Sequence, residues 1–147
     1  MTITDKTPPA QTDRIAFEVE LRHPPAKVWR AITDPVLLAE WLLPVVKGHL
    51  GPGASFVLQT TPFPGWDGTV HCTVLEHEPP RRLRYGWVVG DMTLDTVVTF
   101  VLEETPGGTR LSIEQSGFKP TQAQNFGGAR YGWKMMIGRL EGLVDRA

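Results

Sequence analysis

The first regular pattern along the chain is an alternation of apolar and polar residues that begins at Arg14. Its apolar members are Ile15, Phe17, Val19 and Leu21. A period of two predicts a β-strand with one face buried. Residues 1–13 are polar, contain proline and show no period, so we interpret them as a flexible leader. A single domain is then expected over residues 14–147.

Two short helices are predicted after this strand. Pro25 suits the first turn of a helix, where the amide that proline lacks would be unpaired. The sequence Asp34-Pro35 repeats this signal as a cap followed by a first-turn proline. The apolar residues of the two helices are Val28, Trp29 and Ile32 in the first, and Leu38, Trp41 and Leu42 in the second.

Short strand-like segments separated by glycine and proline fill the chain from Val45 to Gly117. Turn sequences occur at residues 51–53, 62–65, 79–80, 90–91 and 106–108. The turns are about ten residues apart with no helical pattern between them, which favours antiparallel pairing over a parallel α/β sheet.

Helical spacing returns in the last part of the chain and predicts a helix over residues 122–146. Its apolar stripe consists of Phe126, Ala129, Trp133, Met136, Ile137, Leu140, Leu143 and Val144. Such a helix is roughly 37 Å long, enough to cross a whole sheet. We therefore predict an α+β fold in which a curved antiparallel sheet of about six or seven strands packs against this helix.

Glycines lie on the other side of the same helix. With Trp133 at the centre of the buried face, the outer half carries Gly127, Gly128, Gly138 and Gly142, with Gly132 near its edge. Each interior glycine costs about 0.5 to 1 kcal/mol relative to alanine. Either packing on the sheet overrides this weakness, or the glycine face admits a second subunit in a homodimer or lets the helix move aside for a ligand.

Composition narrows the classes of partner. The net charge of −1 with 41% hydrophobic residues gives no electrostatic reason to expect nucleic acid. A single cysteine, Cys72, excludes an internal disulfide and, with no secretory signal, suggests the cytoplasm. No apolar run approaches the ~20 residues that span a bilayer, so we expect no membrane insertion.

The chemistry-bearing residues give no catalytic or metal signature, and we assign no cofactor. His71 and His77 share strand parity but are separated by about 20 Å of extended chain, too far for one metal ion. His71 and Cys72 are adjacent and should point to opposite faces, so they make a poor base and nucleophile pair.

Apolar and aromatic side chains instead predict a ligand site between the sheet and the long helix. The candidate lining residues are Trp41, Phe56, Leu58, Tyr85, Trp87, Phe100, Ile113, Gln115, Phe126, Trp133 and Met136. Tyr85 and Gln115 would be the polar contacts within this lining. The alternative is that these side chains fill the space completely.

Several motifs resemble one known family. They are PAKVWRAITDP at residues 25–35 followed by Trp41, the glycines of residues 51–53, EPPRRL at residues 78–83, GGTRL at residues 107–111 and Gly132-Trp133. In this order they resemble homologues of the activator of the heat-shock-protein-ninety ATPase, within the START-like superfamily also called SRPBCC. The resemblance covers about residues 17–143 and implies a helix-grip fold like that of the birch pollen allergen.

The resemblance makes three functions plausible. The first is binding or transport of a small hydrophobic molecule, such as a lipid or an aromatic or polyketide-like compound. The second is a cyclase- or hydrolase-type enzyme that uses the same cavity, with Tyr85 or a histidine as acid or base. The third is a co-chaperone-like protein-interaction module. A pocket without a titratable pair favours binding, whereas an exposed apolar patch over a closed core favours protein interaction.

Overall fold

The computed structural model describes residues 3–8, 12–61, 67–89 and 94–146. The described residues form eight strands and three helices. In chain order these are β1 (Ile3–Asp5), β2 (Arg14–Leu21), α1 (Pro25–Thr33), α2 (Pro35–Trp41), β3 (Val45–Gly48), β4 (Ser55–Gln59), β5 (Thr69–Glu78), β6 (Arg82–Val89), β7 (Leu94–Thr105), β8 (Gly108–Ser116) and α3 (Ala123–Arg146). The turns predicted at residues 62–65 and 90–91 lie outside the described residues.

All eight described strands belong to one antiparallel sheet with the order β1-β2-β8-β7-β6-β5-β4-β3. Strands β3 to β8 form a meander, and β8 returns to pair with β2. Helices α1 and α2 therefore connect β2 to the far edge of the sheet. This arrangement confirms the predicted α+β helix-grip fold.

Alternation of side chains along the strands gives the sheet one buried face, which we call the inner face. In β2 the residues Phe17 and Val19 are buried and lie opposite Ile113 and Leu111 of β8. On the outer face Arg110 reaches Glu20 at 2.8 Å. Because the outer ion pairs are largely exposed, burial of the inner face is the main source of stability.

Helix α3 covers the inner face as its apolar stripe predicted. Its buried residues are Phe126, Trp133, Ile137, Leu140, Leu143 and Val144, while Ala129 and Met136 are partly buried. The indole ring of Trp133 packs edge-on against Phe100 of β7, with 6.2 Å between ring centroids. The helix starts at Ala123, one residue after the predicted start.

The two short helices begin as their sequence signals predicted. Pro25 and Pro35 occupy the first turns of α1 and α2, and the Asp34 carboxylate accepts a hydrogen bond from the Val36 amide at 2.9 Å. The indole nitrogen of Trp41 donates to the Ala31 carbonyl at 2.9 Å, which ties α2 to α1.

Part of the expected flexible leader is ordered. Residues Ile3–Asp5 form β1 and pair with β2, with Ile3 opposite Val19. Asp5 accepts a hydrogen bond from Arg130 of α3 at 2.8 Å, so both the sheet and the helix hold this strand. Sequence analysis missed β1 because three residues are too few to establish a period of two. Residues 1–2 and 9–11 of the leader lie outside the described residues.

The prediction that His71 and His77 share one face of β5 is wrong, because the strand contains a β-bulge between them. The register with β6 shifts between Val74 and Glu76. His71 is exposed and pairs with Val88, whereas His77 pairs with the fully buried Leu83. The two histidines therefore lie on opposite faces of the strand, because one extra residue reverses the alternation. The ring of His77 packs edge-on against Trp29 of α1, with 5.4 Å between ring centroids.

The turn between β7 and β8 approaches the end of β2 closely. Gly108 has a positive φ of 145°, and a Cβ atom at this position would lie 2.2 Å from the Leu21 carbonyl oxygen. A Cβ at the neighbouring Gly107 would meet no atom within 4 Å. The backbone geometry at this turn therefore requires glycine at the second position.

We predict that Gly108→Ala lowers the free energy of unfolding by about 3 kcal/mol, because the methyl group would clash with backbone and strain φ. Gly107→Ala is the matched control and should change it by less than about 0.5 kcal/mol. Urea denaturation of both variants tests the difference. Equal effects of the two substitutions would contradict the close approach of this turn to β2.

Candidate functional site

An apolar groove opens between the first half of α3 and the adjoining ends of β6 and β7. Its volume is about 490 Å³, within the range of small-molecule sites. The described lining residues are Leu43, Thr60, Trp87, Val89, Leu94, Gln124, Asn125, Gly128, Ala129, Gly132 and Met136. None of these side chains is charged. The groove thus suits an apolar molecule, with polar side chains at Thr60 and Gln124.

Small residues of α3 form the helix side of the groove. Gly128, Ala129 and Gly132 succeed one another at one- and three-residue steps and so share one side of the helix. A Cβ atom at Gly128 would meet nothing within 4 Å, and one at Gly132 would meet only the end of Met136 at 4.0 Å. The free space of the groove therefore exists because these positions carry little or no side chain.

The sheet side of the groove comes from the inner face of two strands. Val89 of β6 lies directly opposite Leu94 of β7, and both are buried. Trp87 lies two residues before Val89 on the same face and is 9% exposed. Its ring packs against Trp133 of α3 with 5.8 Å between centroids. Trp87 thus separates the groove from the aromatic interior.

A chain of buried hydrogen bonds lies behind this wall. The indole nitrogen of Trp133 donates to Gln115 Oε1 at 2.7 Å, and Gln115 Nε2 donates to Thr96 Oγ1 at 2.9 Å. Thr96 Oγ1 in turn donates to the Trp87 carbonyl at 2.9 Å. These hydrogen bonds join α3, β8, β7 and β6, and they fix the ring of Trp133. Both ends of the Gln115 amide are thereby engaged within the protein.

Tyr85 has a different status, because its fully buried hydroxyl has no hydrogen-bond partner within the described part of the chain. Its ring is held between Phe56 and Phe100, at centroid distances of 5.1 and 5.7 Å. Burial, with a smaller effect from the nearby Cys72 thiol, raises the pKa of Tyr85 well above its ordinary value. The phenol therefore stays neutral and can donate a hydrogen bond.

Cys72 faces the interior beside Tyr85, while the adjacent His71 is exposed on the other face. Burial raises the pKa of the Cys72 thiol from its ordinary value of 9.0 to about 12. The thiolate, which is the nucleophilic form, is thus suppressed at neutral pH. Over residues 3–8, 12–61, 67–89 and 94–146, no three His, Cys, Asp or Glu side chains cluster closely enough to hold a metal ion.

The eleven predicted site residues fall into two groups. Trp87 and Met136 line the groove. The other nine are buried side chains of the interior, namely Trp41, Phe56, Leu58, Tyr85, Phe100, Ile113, Gln115, Phe126 and Trp133. Large rings occupy the centre between sheet and helix, and the groove lies at the edge of this centre. Ligand contact by any of the eleven residues stays a prediction.

Sequence reasoning missed most of the groove lining. The missed residues are Leu43, Thr60, Val89, Leu94, Gln124, Asn125, Gly128, Ala129 and Gly132. The available signal was the run of helix glycines, of which Gly128 and Gly132 turn out to face the groove. Gly127 is exposed outside it, next to Tyr131, which is 68% exposed. Contact of this outer face with a second subunit stays a prediction.

We predict that Gln115→Leu lowers the free energy of unfolding by about 2 to 4 kcal/mol, since it leaves the Trp133 and Thr96 polar groups buried without their partner. Trp133→Phe removes the indole donor. Combined with Gln115→Leu, it should therefore cost at least about 1 kcal/mol less than the sum of the two single effects. Strict additivity in chemical denaturation would show that the two side chains are not coupled.

Alkaline pH should destabilise the protein through Cys72. The folded thiol stays protonated up to a pKa of about 12, whereas an unfolded thiol ionises near 9.0. Its stabilising contribution is therefore complete below pH 9 and is lost as the pH rises from 9 towards 12. Between pH 7.5 and pH 10, wild type should lose about 1 kcal/mol more stability than Cys72→Ala. A parallel pH dependence of both proteins would contradict a buried thiol.

Comparison with solved structures supports the fold. MLL2253 from Mesorhizobium loti is 39% identical, and the match covers 91% of this chain and 98% of that protein with a TM-score of 0.84. CalU16 from Micromonospora echinospora is 29% identical over 97% of this chain and 83% of its own, with a TM-score of 0.76.

A third structure, DynU16, comes from the dynemicin biosynthetic locus. It is 24% identical, and the match covers 90% of this chain but 47% of DynU16, with a TM-score of 0.74. At this identity the likeness shows a shared fold alone. No functionally curated protein matches this chain closely enough to count as a relative.

Family membership rests on the sequence as a whole. The pattern of the family described as Activator of Hsp90 ATPase homolog 1-like protein matches residues 22–145, which run from the end of β2 almost to the end of α3. No helix in the part of the chain that the structure describes is long and apolar enough to cross a membrane. The chain belongs to the Activator of Hsp90 ATPase homolog 1-like family, within the START-like superfamily.

Proposed function

We propose that this protein binds a small, uncharged hydrophobic molecule in the groove between α3 and the ends of β6 and β7. The observation that carries this proposal is the apolar lining, which combines Trp87, Val89 and Leu94 with the glycines of α3 and has no charged side chain among its described residues. Such a surface favours transfer of an apolar molecule from water.

The ligand class that we propose is aromatic or polyketide-like. Among the similar structures, DynU16 is a protein of the dynemicin biosynthetic locus, and its fold matches this chain. An aromatic or polyketide-like compound would suit the apolar groove lined by Trp87. The family's START-like fold is one of the known ligand-binding folds, which agrees with this role.

Binding without catalysis is the form of this function that we propose. The described groove lining contains no titratable side chain, so it offers no acid and base pair to a bound molecule. Two buried titratable groups of the interior are also poor bases, because burial raises the pKa of both Cys72 and Tyr85. Carrier or sequestering activity needs neither group to ionise. We place this activity in the cytoplasm.

Binding of N-phenyl-1-naphthylamine, an uncharged dye whose fluorescence rises in apolar surroundings, tests the proposal. We expect saturable binding of one dye per chain. Gly128→Leu should weaken it at least about tenfold, because the new side chain occupies the open space found there.

Gly127→Leu is the matched control for this experiment. It makes the same chemical change one residue earlier in α3, at a position that is exposed and outside the groove. Both leucines favour the helix relative to glycine, so a shared effect on helix stability cancels in the comparison. Equal dye affinities for the two variants, or fluorescence that never saturates, would reject the groove as the binding site.

A further inference from the structure

The hydroxyl of Tyr85 is buried in the protein interior, and Tyr85 lies two residues before the groove residue Trp87 in β6. Burying a hydroxyl without a hydrogen bond is unfavourable, and native proteins rarely do so without a reason. Tyr85 is fully buried, and its hydroxyl finds no partner among the described residues. An acceptor oxygen of a bound molecule would give this buried hydroxyl the hydrogen bond that it lacks among the described residues.

A continuous row of aromatic rings connects the ring of Tyr85 to the groove. Tyr85 and Trp87 are two residues apart on the inner face of β6, so their Cα atoms are separated by roughly 7 Å. Tyr85 packs on Phe100 at 5.7 Å, Phe100 on Trp133 at 6.2 Å, and Trp133 on Trp87 at 5.8 Å between ring centroids. Trp87 is the member of this row that lines the groove.

The two tryptophans differ in how they are held. The ring of Trp133 is anchored by its hydrogen bond to Gln115 at 2.7 Å, and its side chain is almost fully buried. Trp87 retains 9% exposure and lines the groove. Free space beside a ring is what a change of rotamer requires. Of the four residues in the row, Trp87 is the one that lines the groove.

We propose that the Tyr85 hydroxyl donates a hydrogen bond to an uncharged acceptor oxygen, such as a ketone carbonyl, on the ligand of the groove, reached when the Trp87 ring turns aside. This inference rests on the proposed function and specifies its ligand class. A carboxylate or phosphate is disfavoured by the apolar surroundings, because the described groove lining offers no cation to compensate a buried charge. The ligand is thus a neutral aromatic carbonyl compound.

Fluorene and 9-fluorenone provide a matched test pair, since they differ in one methylene and one carbonyl group. Their affinities are measured by displacement of N-phenyl-1-naphthylamine. Wild type should bind 9-fluorenone about five- to tenfold more tightly than fluorene, as one net hydrogen bond provides. In Tyr85→Phe this preference should fall below about twofold, while fluorene binds as before.

Thermal unfolding separates a ligand contact from a structural role. If the hydroxyl is free, Tyr85→Phe should unfold at the same or a higher temperature than wild type, because it removes an unpaired buried group. A lower unfolding temperature would mean that the hydroxyl already has a partner in the folded protein, and would overturn the proposal. Tyr131→Phe, at the exposed tyrosine of α3, is the matched control and should change neither readout.

The outcomes distinguish this inference from the proposed function. Equal affinities of wild type for fluorene and 9-fluorenone, with both displacing the dye, would overturn the role of Tyr85 and leave the groove as the binding site. A preference for 9-fluorenone that persists in Tyr85→Phe would also overturn the role of Tyr85 and leave the groove as the binding site. Failure of both compounds to displace the dye, together with unchanged dye binding in Gly128→Leu, would overturn both proposals. The comparison of the two ligands in wild type needs no variant to fold.

Discussion

Trp133 joins the long helix to the sheet through two kinds of contact at once. Its ring packs on Phe100 and Trp87, and its indole nitrogen enters the hydrogen-bond chain through Gln115 and Thr96. Ring packing alone would allow α3 to slide, whereas a buried donor must meet its acceptor at a fixed place. The position of α3 over the inner face, and hence the width of every space between them, depends on this junction.

The groove follows from what α3 carries on either side of that junction. Beyond Trp133 the helix presents Ile137 and Leu140, which are fully buried and close the gap to the sheet. Before it, Gly128 and Gly132 present no side chain, so the gap stays open beside Trp87. The same glycines that weaken the isolated helix thus leave the groove open, and the packing of Trp133 on the sheet offsets the helix stability that the glycines cost.

Sequence patterns predicted which residues face inward but not how far apart the facing surfaces lie. The alternation in β2 and the stripe of α3 were sufficient for the fold, because burial of one face determines both periods. The groove depends on the distance between elements, which periodicity does not contain. The sequence therefore placed Gly128 on the outer half of α3 and Gly132 near its edge, with subunit contact or helix movement as their possible roles. The bulge in β5 was also invisible, since one inserted residue reverses parity without changing composition.

A crystal structure of the protein with bound N-phenyl-1-naphthylamine tests the central claim most directly. The account predicts electron density for one dye molecule between the Trp87 ring and the backbone of Gly128 and Gly132, with α3 in its original position over the sheet. Dye bound on the outer face of the sheet or at a contact between molecules, with the groove empty, would contradict it.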